Sequence, residues 1–262
     1  HPPVPAPPAP AFSHLRPSPP QTFPPSALPE YPRPPPVPKP NDMNLRTGSL
    51  IAGALPALLC LSAPADAKEG VVQCGNLIYA GTKTSRCFSD AFLSAVQQRT
   101  SINTARRFRS LRLDRDELFR FPFVVLTGEG NFSFTPRERE NLKRYVEDGG
   151  FLLASAGCSN EDWDKAFRRE MASLFGPEAL KPIPMTHPIF STVFPIKALQ
   201  AGKKPTCGYL EGISLRGKLV LVYSADGLND SANARNCCCC GGSELGNALQ
   251  INANILAYAL LR

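Results

Sequence analysis

Residues 121–158 read FPFVVLTGEGNFSFTPRERENLKRYVEDGGFLLASAGC, and this stretch decides the fold. Phe121 to Leu126 is a short apolar run with charge before it and Thr127-Gly128-Glu129-Gly130 after it. That length and those bounds predict a buried parallel strand ending in a glycine turn. Thr135 then suits an N-cap, Pro136 the first helical position, and Glu138 closes a capping box. Leu142, Tyr145 and Val146 make one apolar stripe, and Gly149-Gly150 stops the helix. Phe151 to Ala154 reads as a second buried strand, ending at Ser155-Ala156-Gly157-Cys158.

The same alternation continues outward. Upstream, a short strand is expected around Asn76 to Ala80, followed by a helix over Ser89 to Gln98 with Phe88, Phe92 and Val96 at helical spacing. Downstream, a third helix is expected to open at Ser159, with Asp162 reaching back to its start. Trp163, Phe167, Met171 and Leu174 would lie on its inner face and Gly176-Pro177 at its end. Tyr209 to Ser214 and Lys218 to Ser224 look like strands joined at Arg216-Gly217, and a last helix starts near Ser243. Strands alternating with helices imply a mainly parallel α/β sheet.

Ahead of this domain the composition changes. Residues 1–42 hold 18 of the 28 prolines, a segment that favours solvated polyproline II and builds no core. The first methionine is Met43. After it come Asn44-Leu45-Arg46, an apolar run from Ser49 to Leu61, and Ala65-Asp66-Ala67, the order of a secretory signal with its small-x-small cleavage site. The apolar run is shorter than the roughly 20 residues that span a bilayer. The reading is therefore a proline-rich upstream segment at 1–42, a signal peptide at 43–67, and one α/β domain at 68–262, exported to the periplasm or cell envelope. No stable transmembrane segment is expected after cleavage.

Residues 68–262 carry 25 Lys and Arg against 19 Asp and Glu, a net charge of +6. The densest basic cluster, Arg106, Arg107, Arg109, Arg112, Arg115 and Arg120, is interrupted by Asp114, Asp116 and Glu117. It reads as a solvated, self-paired face, and nucleic-acid binding is not favoured.

Three groups of residues could carry chemistry. In an open α/β sheet, ligands bind beyond the carboxyl ends of the strands, which marks Gly128, Gly130 and Ser159 as ligand-binding candidates. Cys158, just ahead of a helix N-terminus, has the setting of a nucleophile. Its base would be His187, the one histidine in 68–262, with Glu129 as an orienting or acidic group. Arg168 could grip a carboxylate in bidentate fashion, although a structural pair with Glu161 or Asp164 is the default. Cys237, Cys238, Cys239 and Cys240 form the third group. Four adjacent thiols cannot all face one tetrahedral centre, so zinc or another thiophilic metal would need Cys158 or Cys207 as well. In an oxidising compartment disulfides are the simpler reading. The eight cysteines of 68–262 permit full pairing, with Cys74–Cys87 as a local bridge.

The ordered blocks resemble a known family. Phe121 to Gly130 with Phe132-Ser133-Phe134-Thr135, Glu140 to Val146 with Gly149 to Leu152, Phe167 to Met171, and His187-Pro188-Ile189-Phe190 are similar to the bacterial family called domain of unknown function 4159. The resemblance spans roughly residues 74–262. It implies a flavodoxin-like sheet of the class I glutamine amidotransferase-like group, in which the nucleophilic cysteine occupies a comparable strand-to-helix elbow, and it brings no established activity. Glu129 stands where relatives often have histidine, and Ser155 and Cys158 stand in a segment where relatives often carry paired aspartates. The leading expectation is an exported, non-catalytic domain that binds a small molecule or an envelope protein. The alternatives are a cysteine-dependent hydrolase or amide-transfer enzyme using Cys158, and a metal or thiol-redox protein centred on the cysteine run.

Overall fold

The computed structural model describes residues 70–84, 88–202, 205–230 and 244–262. The proline-rich segment, the signal-like segment, Cys87 and Cys237 to Cys240 lie outside the described residues.

The strands β1 (Cys74–Ile78), β2 (Arg109–Arg112), β3 (Phe123–Gly128), β4 (Phe151–Ala156), β5 (Lys181–Pro182), β6 (Glu211–Leu215) and β7 (Lys218–Ser224) form one sheet in the order β2-β1-β3-β4-β7-β6-β5. The first five strands of that order are parallel; β6 and β5 are antiparallel additions at one edge. β3 and β4 are buried along their whole length. Both faces are covered, so the side chains alternate between two cores rather than between core and water.

The helices are α1 (Ala91–Arg99), α2 (Pro136–Glu147), α3 (Glu161–Phe175) and α4 (Ala248–Leu261). Phe123, Val125, Phe151 and Leu153 share one core with Phe92, Leu93 and Val96 of α1 and Ile251, Ile255 and Leu256 of α4. Val124, Leu126, Leu152 and Ala154 share the other with Leu142, Tyr145 and Val146 of α2 and Trp163, Phe167 and Met171 of α3. Fully burying each such side chain stabilises the fold by about 1.5–3 kcal/mol.

The helix expected after Gly130 forms as read. The Thr135 hydroxyl accepts from the Glu138 amide at 3.3 Å, and the Glu138 carboxylate accepts from the Thr135 amide at 2.8 Å. That carboxylate also accepts from the Ala80 amide at 2.8 Å, so the cap ties α2 to the turn after β1.

Several boundaries differ from the sequence reading. β1 begins and ends two residues earlier, because Ala80 turns out of the strand with φ +45°. α3 starts at Glu161 with Asn160 as its cap; Ser159 has φ +52° and cannot be helical. The arginine-rich stretch, read as a solvated face, also supplies the edge strand β2. Its self-pairing holds there: Arg109 meets Glu117, Arg112 and Arg115 meet Asp114, and Arg137 of α2 meets Asp116. No helix among the described residues is long and apolar enough to cross a membrane.

Candidate functional site

β3 and β4 pair in parallel with Thr127 beside Ser155 and Gly128 beside Ala156. The two glycine-edged turns therefore open next to each other on the carboxyl rim of the sheet. Only glycine fits where they meet. A β-carbon on Gly157 would lie 2.7 Å from the Gly128 carbonyl oxygen, and one on Gly128 would lie 2.3 Å from the Tyr79 hydroxyl. Asn160 clips the turns together, its Oδ1 accepting from the Gly130 amide at 2.9 Å and the Trp163 amide at 3.0 Å.

The chain leaves β4 through a one-turn elbow, Gly157–Ser159, in which Cys158 (φ +52°, ψ +29°) and Ser159 (φ +52°) are both left-handed. A non-glycine residue held there costs about 1–2 kcal/mol and persists only where its surroundings over-determine it. The elbow points the Cys158 thiol at Glu129, with Sγ donating to Oε1 at 3.4 Å. Lys83, from the turn after β1, reaches the Glu129 carbonyl at 3.3 Å.

Behind the elbow lies the loop after β7. The Ser159 hydroxyl accepts from the Gly227 amide at 3.3 Å and the Ser155 hydroxyl from the Leu228 amide at 2.9 Å. Glu244 faces the same point. Its carboxylate accepts from the Asn229 side chain at 3.1 Å through Oε1, while Oε2 is buried without a hydrogen-bond partner. Burial pushes this carboxyl above its ordinary range, and the Asn229 side chain pulls it part of the way back.

Two further cysteines are described. Cys207, also at the rim, donates to Asp226 Oδ2 at 3.1 Å, and burial first of all pushes its thiol up to about 11. Cys74 is a free thiol, fully buried inside the sheet and pushed up to about 12 by desolvation. The expected Cys74–Cys87 bridge is therefore not formed at Cys74, and no disulfide joins two described residues. Among the described residues no three His, Cys, Asp or Glu side chains are grouped to hold a metal.

The structure does not bring His187 to Cys158. The segment that follows His187 runs antiparallel to α4: Gln200 bonds Asn247, Phe194 bonds Asn254, and the His187 ring packs on Tyr258. Tyr258 in turn meets Phe151, the first residue of β4, whereas Cys158 lies past its last, roughly 20 Å further along the strand. His187 instead caps the turn Pro188–Phe190, its Nδ1 accepting from the Ile189 amide at 3.2 Å. Burial lowers its pKa, in keeping with a ring nitrogen that accepts.

Arg168 is committed to structure. Its guanidinium grips both Glu211 oxygens, at 3.0 and 2.6 Å, and Nε donates to Asp164 at 2.8 Å. Glu161, the other expected partner, pairs with Lys165. Asn160 and Glu244 were missed from sequence. An Asn just before an acidic first turn is a legible cap signal; nothing local marks Glu244.

A family model, Domain of unknown function (DUF4159), matches residues 77–260, and the chain belongs to that family. No curated protein matches it.

Proposed function

From that membership and this geometry, we propose that the chain is an exported binding domain whose ligand seats on the rim formed by Gly128–Gly130 and Gly157–Ser159, where the Cys158 thiol and Glu129 carboxyl meet it. The single observation that carries this is the paired elbow: a left-handed Cys158 set against Glu129 at the carboxyl ends of two adjacent parallel strands. The five parallel strands run in the flavodoxin-like order 2-1-3-4-5, whose ligand crevice lies where the order reverses. Here that point falls between β1 and β3, beside the turn that carries Glu129. Export rests on the pattern from Met43 to Ala67. The site favours binding over acyl transfer for two reasons. His187 sits at the far end of the strands, and the Gly130 amide, which could otherwise hold an oxyanion, is engaged by Asn160.

The strained elbow itself favours a second reading, a cysteine-dependent hydrolase or amide-transfer enzyme. There the thiol would add to a carbonyl carbon, Glu129 would take its proton and return it to the departing group, and water would release the acyl chain.

Iodoacetamide labelling of the full chain, mapped by peptide mass spectrometry, tests the site. Cys158 is expected to react ahead of Cys74 and Cys207, whose raised pKa values leave little thiolate near pH 8. Labelling of Cys158 slower than Cys207 would remove the rim as the site. Stopped-flow mixing with p-nitrophenyl acetate separates the two readings: the binding role predicts no burst. A burst of about one equivalent that Cys158→Ser abolishes would transfer the assignment to the enzyme.

A further inference from the structure

We infer that Lys83 sets the ligand class of this rim: its ammonium holds the carboxylate of a small monoanion whose other end meets the Cys158 thiol. This rests on the reading of the rim as a binding site, and it adds what the site selects.

The chain leaves β1 through a tight turn. Tyr79 and Lys83 bond each other twice across it, amide to carbonyl, at 2.9 and 2.8 Å. Ala80 (φ +45°) and Gly81 (φ +86°) make the bend between them. The turn is anchored on both sides. The Ala80 amide donates to the Glu138 carboxylate, and the Tyr79 hydroxyl joins Trp163 Nε1 to the Thr127 carbonyl. The Lys83 backbone is thereby fixed against the end of β3, and only its side-chain torsions stay free.

That side chain crosses to the neighbouring turn. Its Nζ donates to the Glu129 carbonyl at 3.3 Å, and it would stand 3.8 Å from a β-carbon on Gly130. Gly130 has no side chain to cover it. Lys83 and Cys158 therefore touch two ends of one residue, the ammonium at the Glu129 carbonyl and the thiol at its carboxylate. An ammonium carries three donors, and the carbonyl takes one. Arg112 also reaches this turn, at the Gly81 carbonyl, but its charge is spent on Asp114. Lys83 has no such acidic partner among the described residues. The charge around it sets the valence of the ligand. Glu129 and the acidic first turn of α3, Glu161 and Asp162, disfavour a dianion, whereas one carboxylate is matched by one ammonium.

The test compares two alkylating probes on the full chain near pH 8: iodoacetate, which carries a carboxylate, and iodoacetamide, its neutral counterpart. The ratio of their rates at one thiol cancels that thiol's ionisation and accessibility. Trypsin places Cys158 alone on the peptide Tyr145–Lys165, and Cys207 alone on Lys204–Arg216 as an internal reference. Lys83→Gln is expected to lower the iodoacetate-to-iodoacetamide ratio at Cys158 about fivefold at low salt. Lys83→Arg should keep the ratio within about twofold of the parent, and about 1 M salt should bring the parent down toward Lys83→Gln. The ratio at Cys207 stays constant throughout. If Lys83→Gln leaves the Cys158 ratio unmoved, or changes both rates by one factor, the lysine only props the turn and its role is overturned. The rim survives that result as long as Cys158 still reacts with iodoacetamide ahead of Cys207. Cys158 trailing Cys207 in the parent chain would bring down both readings.

Discussion

Replacing Trp163 with alanine is expected to destabilise the fold by about 3–5 kcal/mol, the range for removing a buried tryptophan. At about 2–4 °C per kcal/mol for a domain of this size, thermal unfolding should come down by about 10 °C. Trp163 is fully buried at the N-terminal end of α3. It stacks on Phe167 with ring centroids 5.2 Å apart and packs against Phe132 at 5.5 Å. Its indole Nε1 donates to the Tyr79 hydroxyl at 2.6 Å, and that hydroxyl donates to the Thr127 carbonyl at 3.3 Å. The ring therefore fills the core beneath the rim, and through Tyr79 it fixes the end of β3. Tyr79→Phe keeps the ring and loses only these bonds, so it should cost about 1 kcal/mol. Calorimetry or denaturant unfolding of both variants gives the two values. Equal losses would mean that the hydrogen bonds, rather than the packing, dominate at this position.

The second large effect belongs to Arg168. Its fork on Glu211 ties α3 to β6, and its Nε bond to Asp164 joins a cluster in which the Tyr223 hydroxyl also donates to Asp164 at 2.5 Å. The Glu211 side chain is only 9 % exposed, so Arg168→Met strands a buried carboxylate. Breaking such a pair costs about 3–5 kcal/mol; with the arginine side chain 38 % exposed, a loss of about 2–3 kcal/mol is expected. The double variant Arg168→Met with Glu211→Leu removes the stranded charge and should recover most of that loss. A ligand-gripping arginine would behave in the opposite way, leaving stability intact and weakening binding alone. Urea unfolding of the two variants decides between them.

The contrast between Arg168 and Cys158 shows what could be read without coordinates. Local signals were legible: the Thr135–Glu138 cap, the apolar runs of β3 and β4, and the glycines that end them all act within a few residues. Parallel pairing of those two strands followed from the helix between them, and with it the meeting of the two turns. Partners set by tertiary contacts were not legible. Arg168 finds Glu211 43 residues away, and the Gly227 amide reaches the Ser159 hydroxyl across 68 positions. His187 looked like a base because it was the one histidine in the domain, yet the path of residues 187–200 along α4 carries it to the other end of the strands. β2 was hidden because an edge strand covered with arginines has no apolar run to betray it; Leu111 is its one buried residue.

The adjoining turns of β3 and β4, with the thiol of one facing the carboxyl of the other, underlie everything proposed for this rim. Crystallographic measurement of the distance from Cys158 Sγ to the Glu129 carboxylate tests that most directly. A separation near 3.4 Å with Cys158 at positive φ is the expected result. An elbow in ordinary backbone conformation, with the thiol turned away from Glu129 beyond the reach of one bridging water, would contradict it.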